Sequence, residues 1–130
     1  MMPEAQEYLR SDGSCPFGDR FADLRDARAQ ARIDTTIRKL ARGLKPDVKS
    51  VGEGVHEARI DYGPGYRVYF GNDGETLLVL LLCGDKRTQD QDITAAKALW
   101  VEYQARKVAP PPKRGQPRPP PRLRSDDEKA

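Results

Sequence analysis

The residues best equipped for chemistry are Arg59, Arg67 and Lys86, with Glu57 and Tyr69 interleaved among them. A guanidinium is a permanently charged planar fork of donors that matches phosphate oxygens, and an ammonium adds a compact positive charge. Such groups stabilise an anion that gathers charge during a reaction, while a phenol can stack on a base or hydrogen-bond beside it. Spacing suggests a shared location. Gly63-Pro64-Gly65 and Asn72-Asp73-Gly74 read as reversals, because glycine accepts positive φ and proline presets a turn, so residues 55–86 read as three successive antiparallel strands ending in a loop. Alternation then puts Glu57, Arg59 and Asp61 on one face with Arg67 and Tyr69, and His56, Ala58, Ile60, Tyr62, Tyr66, Val68 and Phe70 on the other. By itself this pattern describes equally well a solvated sheet face on which Arg67 pairs with Glu57 or Asp61.

The remaining elements supply the support. Residues 4–10 are weakly strand-like. Pro16 suits the first turn of a helix, and Phe17, Phe21 and Leu24 recur on one stripe. A second helix is expected over residues 26–42, with Asp26 at its start, Gly43 at its stop, and Ala31, Ile33, Ile37, Leu40 and Ala41 on the buried side. Its outward basic residues, Arg42 among them, read as a solvated face or as contacts to RNA. Val48–Val51 reads as a short strand that carries Lys49 toward the meander. Leu77–Leu82 lacks alternation, as in a central strand covered on both faces. After Lys86-Arg87, residues 92–107 return to helical spacing, with Ile93, Ala96, Leu99 or Trp100, and Tyr103 toward the sheet.

The chain of 130 residues holds one domain, expected over residues 1–108, followed by a proline- and arginine-rich tail at 109–130 that reads as disordered. The tail has six basic and three acidic residues, so it accounts for the whole net charge of +3; the domain then holds 17 of each sign. Attraction of the domain to phosphate must therefore be local. Cys15, Cys83 and the single histidine, His56, have no ligand spacing, so no metal or cofactor is expected. No run approaches the roughly 20 apolar residues that span a bilayer, and the first residues lack a signal pattern; the expected location is cytoplasmic.

The run Gly54-Val55, Glu57, Arg59-Ile60, Tyr62-Gly63-Pro64-Gly65-Tyr66-Arg67-Val68-Tyr69-Phe70, Leu80-Leu81-Leu82, Gly84-Asp85-Lys86, Thr88-Gln89 and Asp92-Ile93 resembles the RelE/HigB-like toxins of type II toxin–antitoxin modules, in the RelE/ParE superfamily. The likeness covers about residues 15–107. Arg20, Ala58 and Cys83 depart from it, standing where relatives often carry tryptophan, leucine and glycine. It implies an α+β fold of order β-α-α-β-β-β-β plus a C-terminal helix, with a small antiparallel sheet, two N-terminal helices packed on one face, and a concave RNA surface on the other. It also implies a ribosome-dependent endoribonuclease that cuts messenger RNA through the 2′-hydroxyl without a metal. Arg67 would then contact the scissile phosphate, helped by Arg59, Lys86 and Tyr69. Lys49, Arg87 and Arg42 would hold RNA, and Glu57 is the available proton acceptor. The implied partners are the ribosome, messenger RNA and a helix-turn-helix antitoxin. Two alternatives stay open: a ParE-like gyrase inhibitor, or a non-catalytic relative that binds nucleic acid or antitoxin.

Overall fold

The computed structural model describes residues 4–44 and 46–108; the tail lies outside them. Strand β1 (Glu4–Glu7) is followed by helices α1 (Pro16–Asp23) and α2 (Ala27–Ala41). Strands β2 (Val48–Gly52), β3 (Val55–Ile60), β4 (Tyr66–Asp73) and β5 (Leu77–Asp85) come next, then a 3-10 turn at Lys86–Thr88 and helix α3 (Gln89–Val108). The fold is α+β. Its five strands lie in the order β1-β5-β4-β3-β2.

The expected antiparallel sheet is instead mixed, because β1 pairs parallel to β5 while every other pair is antiparallel. Four alternating residues carry no sign of direction. The chain decides it by leaving β1 through two helices and returning at the opposite edge. β1 covers β5 only as far as Leu80. Beyond it, Arg20 from α1 donates to the Cys83 carbonyl at 3.1 Å and occupies part of that exposed edge.

The helices start where local chemistry permits. Pro16 opens α1, where its missing N–H is harmless, and the Cys15 sulfur accepts from Gly18 N. Asp26 caps α2 by accepting from Arg28 N and Ala29 N. The buried residues of α2 are Ala29, Ile33, Thr36 and Leu40; Ala31, expected inside, is exposed. Thr36, though polar, is buried with them because its hydroxyl donates to Arg32 O.

Two cores result, one on each face. α1 and α2 close over Ala58, Ile60, Tyr66, Val68, Phe70, Leu78 and Leu80. α3 closes over Val55, Tyr69, Val79, Leu81 and Leu82 with Ala96, Leu99 and Trp100. A register shift between Tyr69 and Phe70 leaves Leu81 as the extra residue of β5, so Leu81 and Leu82 both join the α3-side core. α3 lies close because the strands beneath are bare: a Cβ at Gly71 would come 2.5 Å from the Trp100 ring, and one at Gly54 2.7 Å from its Nε1.

Candidate functional site

The antiparallel register sets Arg59 directly opposite Arg67 and Glu57 opposite Tyr69, all four on the face that α3 covers. Two like charges facing each other across a ladder are unfavourable unless each is compensated. Each arginine has its own carboxylate. Arg59 reaches Asp47 at 3.3 Å, and Arg67 Nε reaches Glu57 Oε2 at 3.4 Å. Arg67 Nη1 donates to Gly65 O at 3.0 Å, leaving Nη2 without a partner among the described residues. Glu57 also accepts from Gln89, the first residue of α3, at 2.9 Å.

The polar face is therefore not the open surface that the resemblance implied. Glu57 and Tyr69 are fully buried and Arg67 is 8% exposed. Tyr69 has no ring face free for stacking; burial, and then Glu57, push its phenol well above the ordinary range. Glu57 Oε1, Arg67 Nε and the Tyr69 hydroxyl are all buried without hydrogen-bond partners among the described residues, so Arg67 and Glu57 meet as an ion pair without a hydrogen bond. As a proton acceptor Glu57 would have to work from beneath α3.

The loop after β5 is built from side chains that hold it. Gly84 lies under Asp92, whose Oδ2 would come 2.1 Å from any Cβ there. Asp85 accepts from Arg87 N at 2.9 Å and pairs with the Arg87 side chain at 2.8 Å, which holds its carboxyl below the usual range. Thr88 donates to Asp92 at 2.7 Å, and Arg20 donates to Asp92 at 2.9 Å. Gln89 is taken by Glu57. Within Gly84–Gln89 the exception is Lys86, which is exposed and makes no ion pair or side-chain hydrogen bond among the described residues. It stands at Gly65: from an ideal Cβ there, Lys86 Cβ is 3.8 Å away and Arg67 Nη1 3.4 Å.

Arg59, Arg67 and Lys86 are thus gathered at one end of the sheet. Lys49 lies opposite Glu57 on β2 and is exposed. Arg87 projects into solvent but is committed to Asp85, and Arg42 caps α2 on the opposite face. His56 stacks on Phe70 at 5.4 Å, also on the α1–α2 side. Among the described residues no three His, Cys, Asp or Glu side chains gather as a metal site, and no helix is long and apolar enough to cross a membrane.

An uncharacterized protein of Haemophilus influenzae (strain ATCC 51907 / DSM 11121 / KW20 / Rd) is 47% identical to this chain over 86 residues, which is 66% of this chain and 87% of that protein. The chain belongs to the same family as that protein. No family model matches the chain, and no solved structure matches it.

The roles of Asp92, Arg20 and Gln89 in this family member were not apparent from spacing. Asp92 is 1% exposed and joins α1, the loop and α3. One signal was present: Thr88 and Asp92, one helical turn apart beside a glycine, are a hydroxyl and a carboxylate placed to bond at a helix start.

Proposed function

We propose that the protein is the toxin of a type II toxin–antitoxin module, of the RelE/HigB-like kind, and that it cuts translated messenger RNA on the ribosome. One observation carries the reading: in a loop whose other polar side chains are used to hold its shape, Lys86 has no side-chain partner among the described residues and stands beside Arg67. Gly65 O holds the Arg67 guanidinium by Nη1, and Glu57 lies at ion-pair distance from Nε without a hydrogen bond, so Nη2 is the nitrogen left for a phosphate oxygen.

In such a reaction the messenger's own 2′-hydroxyl attacks the adjacent phosphorus and the 5′ oxygen leaves. The protein's part is to orient the chain and stabilise the charge that builds on the non-bridging oxygens. Lys86 and Arg67 Nη2 supply that charge, with Arg59 beside them. Glu57 acts through Arg67 as a positioning residue. Proton transfer then falls to groups outside this cluster, including those the ribosome and messenger bring.

The near-complete burial of Arg67 under α3 favours a second reading, a ParE-like gyrase inhibitor or a non-catalytic binding relative, which needs no exposed catalytic guanidinium. The two part in one experiment. Purified protein is added to ribosomes programmed with a defined message and, separately, to gyrase with supercoiled DNA. Cuts in the message that vanish in Lys86→Ala support the proposal; intact message with gyrase-dependent DNA breaks, or with no effect on either, overturns it.

A further inference from the structure

On the face opposite the arginine cluster, β1, α1 and α2 enclose an open groove of about 530 Å³. Its floor is apolar and partly aromatic: Phe17 and Phe21 stack at 6.0 Å, with Ile37 and Leu9 beside them. Its rim carries two carboxylates, Glu7 and Asp34, and neither is in an ion pair among the described residues. Leu9 is 38% exposed, a large apolar side chain left at the groove's end.

The same end of the groove is where α3 delivers the chain. Arg106, two residues before α3 finishes, donates to the Leu9 carbonyl and lies over the Tyr8 ring at 5.6 Å. The 22 residues that follow include Pro110-Pro111-Pro112 and Pro119-Pro120-Pro121, interspersed with Lys113, Arg114, Arg118, Arg122 and Arg124. Over 109–125 the tail has five positive charges and no negative one. Proline-rich chain is already extended, so it loses little entropy on docking, and its ridged apolar surface fits grooves lined by aromatic rings. Charge, shape and point of departure therefore agree.

We infer that the tail's own segment 110–124 docks in this groove, its prolines on the partly exposed Phe21 and Ile37 and its arginines toward Glu7 and Asp34. The occupant is the same chain. At roughly 3.1 Å per residue, 15 residues of extended chain can span more than 40 Å, well beyond the width of a small domain's sheet edge. This inference does not depend on what the Arg59–Lys86 end does.

The test uses the full chain and limited tryptic cleavage after Arg122 and Arg124, followed by mass spectrometry, at low and high salt. In the native chain at low salt, cleavage should be slower than in Asp34→Lys by roughly three- to tenfold, the worth of one or two exposed ion pairs, and 0.5 M salt should remove the difference. Asp34 lies on the exposed side of α2, so the variant should fold. As a second measurement, replacing Pro119, Pro120 and Pro121 by serine should shift the Ile37 methyl signal and leave that of Val101, on α3, in place. Equal cleavage rates in both chains, or an unmoved Ile37 signal, overturn the inference. Protection that grows with protein concentration also overturns it, by placing the tail on a second copy.

Discussion

Arg67 and Glu57 form a pair whose separation is costlier than its absence. Removing one member leaves a charge uncompensated in a dry site, which costs about 3–5 kcal/mol, whereas replacing both with apolar groups of similar volume is often nearly neutral. Arg67→Ala and Glu57→Ala should each therefore lower the urea midpoint sharply, while the double variant Arg67→Met with Glu57→Leu recovers most of the loss. Lys86→Ala should behave oppositely. Its side chain holds nothing in place, so the midpoint should not move, while message cleavage on programmed ribosomes falls about 10²- to 10³-fold, as when one charge-stabilising donor is lost. A Lys86→Ala protein that unfolds early would show that the ammonium has a structural partner. At this scale alternation was legible: it put Arg59, Arg67, Glu57 and Tyr69 on one face, as observed. Alternation along a strand is silent about what lies over that face, so the burial of Tyr69 and the Glu57–Gln89 bond could not be read from it.

The elements themselves were easier to read than their pairing. Turn chemistry at Gly63-Pro64-Gly65 marked the first reversal where it lies, whereas the second, expected at Asn72-Asp73-Gly74, falls at residues 74–76 because Asn72 and Asp73 still pair with Leu78 and Leu77; the Asp26 cap and Gly43 stop bounded α2. The direction of β1 had no such mark, and α3 came out three residues longer at its start because Gln89–Gln91 have no apolar residue to declare a helix face. What holds α3 down can be tested at its middle and at its C-terminal end. Gly71→Ala places a methyl where the Trp100 ring sits and should shift Trp100 fluorescence and lower stability by about 1–3 kcal/mol, the usual cost of overpacking. At the C-terminal end, Asp73 accepts from Lys107 and Tyr103, and Glu102 from Arg10 and Tyr8; Lys107 and Arg10, respectively, hold these carboxyls below their ordinary range. A depressed carboxylate contributes stability above its unfolded pKa and loses it as pH falls through the folded value. Amide protection of residues 100–107 should therefore be constant near neutral pH and decline below about pH 4, the ordinary carboxylate region. Asp73→Asn should remove part of that decline.

As a whole the molecule is one sheet serving two cores, and that arrangement sets how it comes apart. β4 and β5 contribute alternate residues to both sides: Val68, Phe70 and Leu80 to the α1–α2 core, Tyr69, Val79 and Leu81 to the α3 core. Neither core can lose its strands without emptying the other. Arg20 adds a bond around the sheet, from α1 to the buried Asp92 of α3 and to the free edge of β5. The expected outcome is a single cooperative transition. Trp100 fluorescence reports the α3 side, and the Ile33 amide reports the α2 side through hydrogen exchange; across a urea series both should give the same unfolding free energy. Arg20→Ala strands the Asp92 carboxylate and should lower both equally, while Asp92→Asn in that background should restore part of the loss, because a neutral amide is less costly to bury than an unpaired charge. Were α3 instead an appendage, Trp100 would report a lower free energy than Ile33. The Glu57–Arg67 pair would then open on its own before the rest of the fold, and the closed site described above would be only one of two populated states.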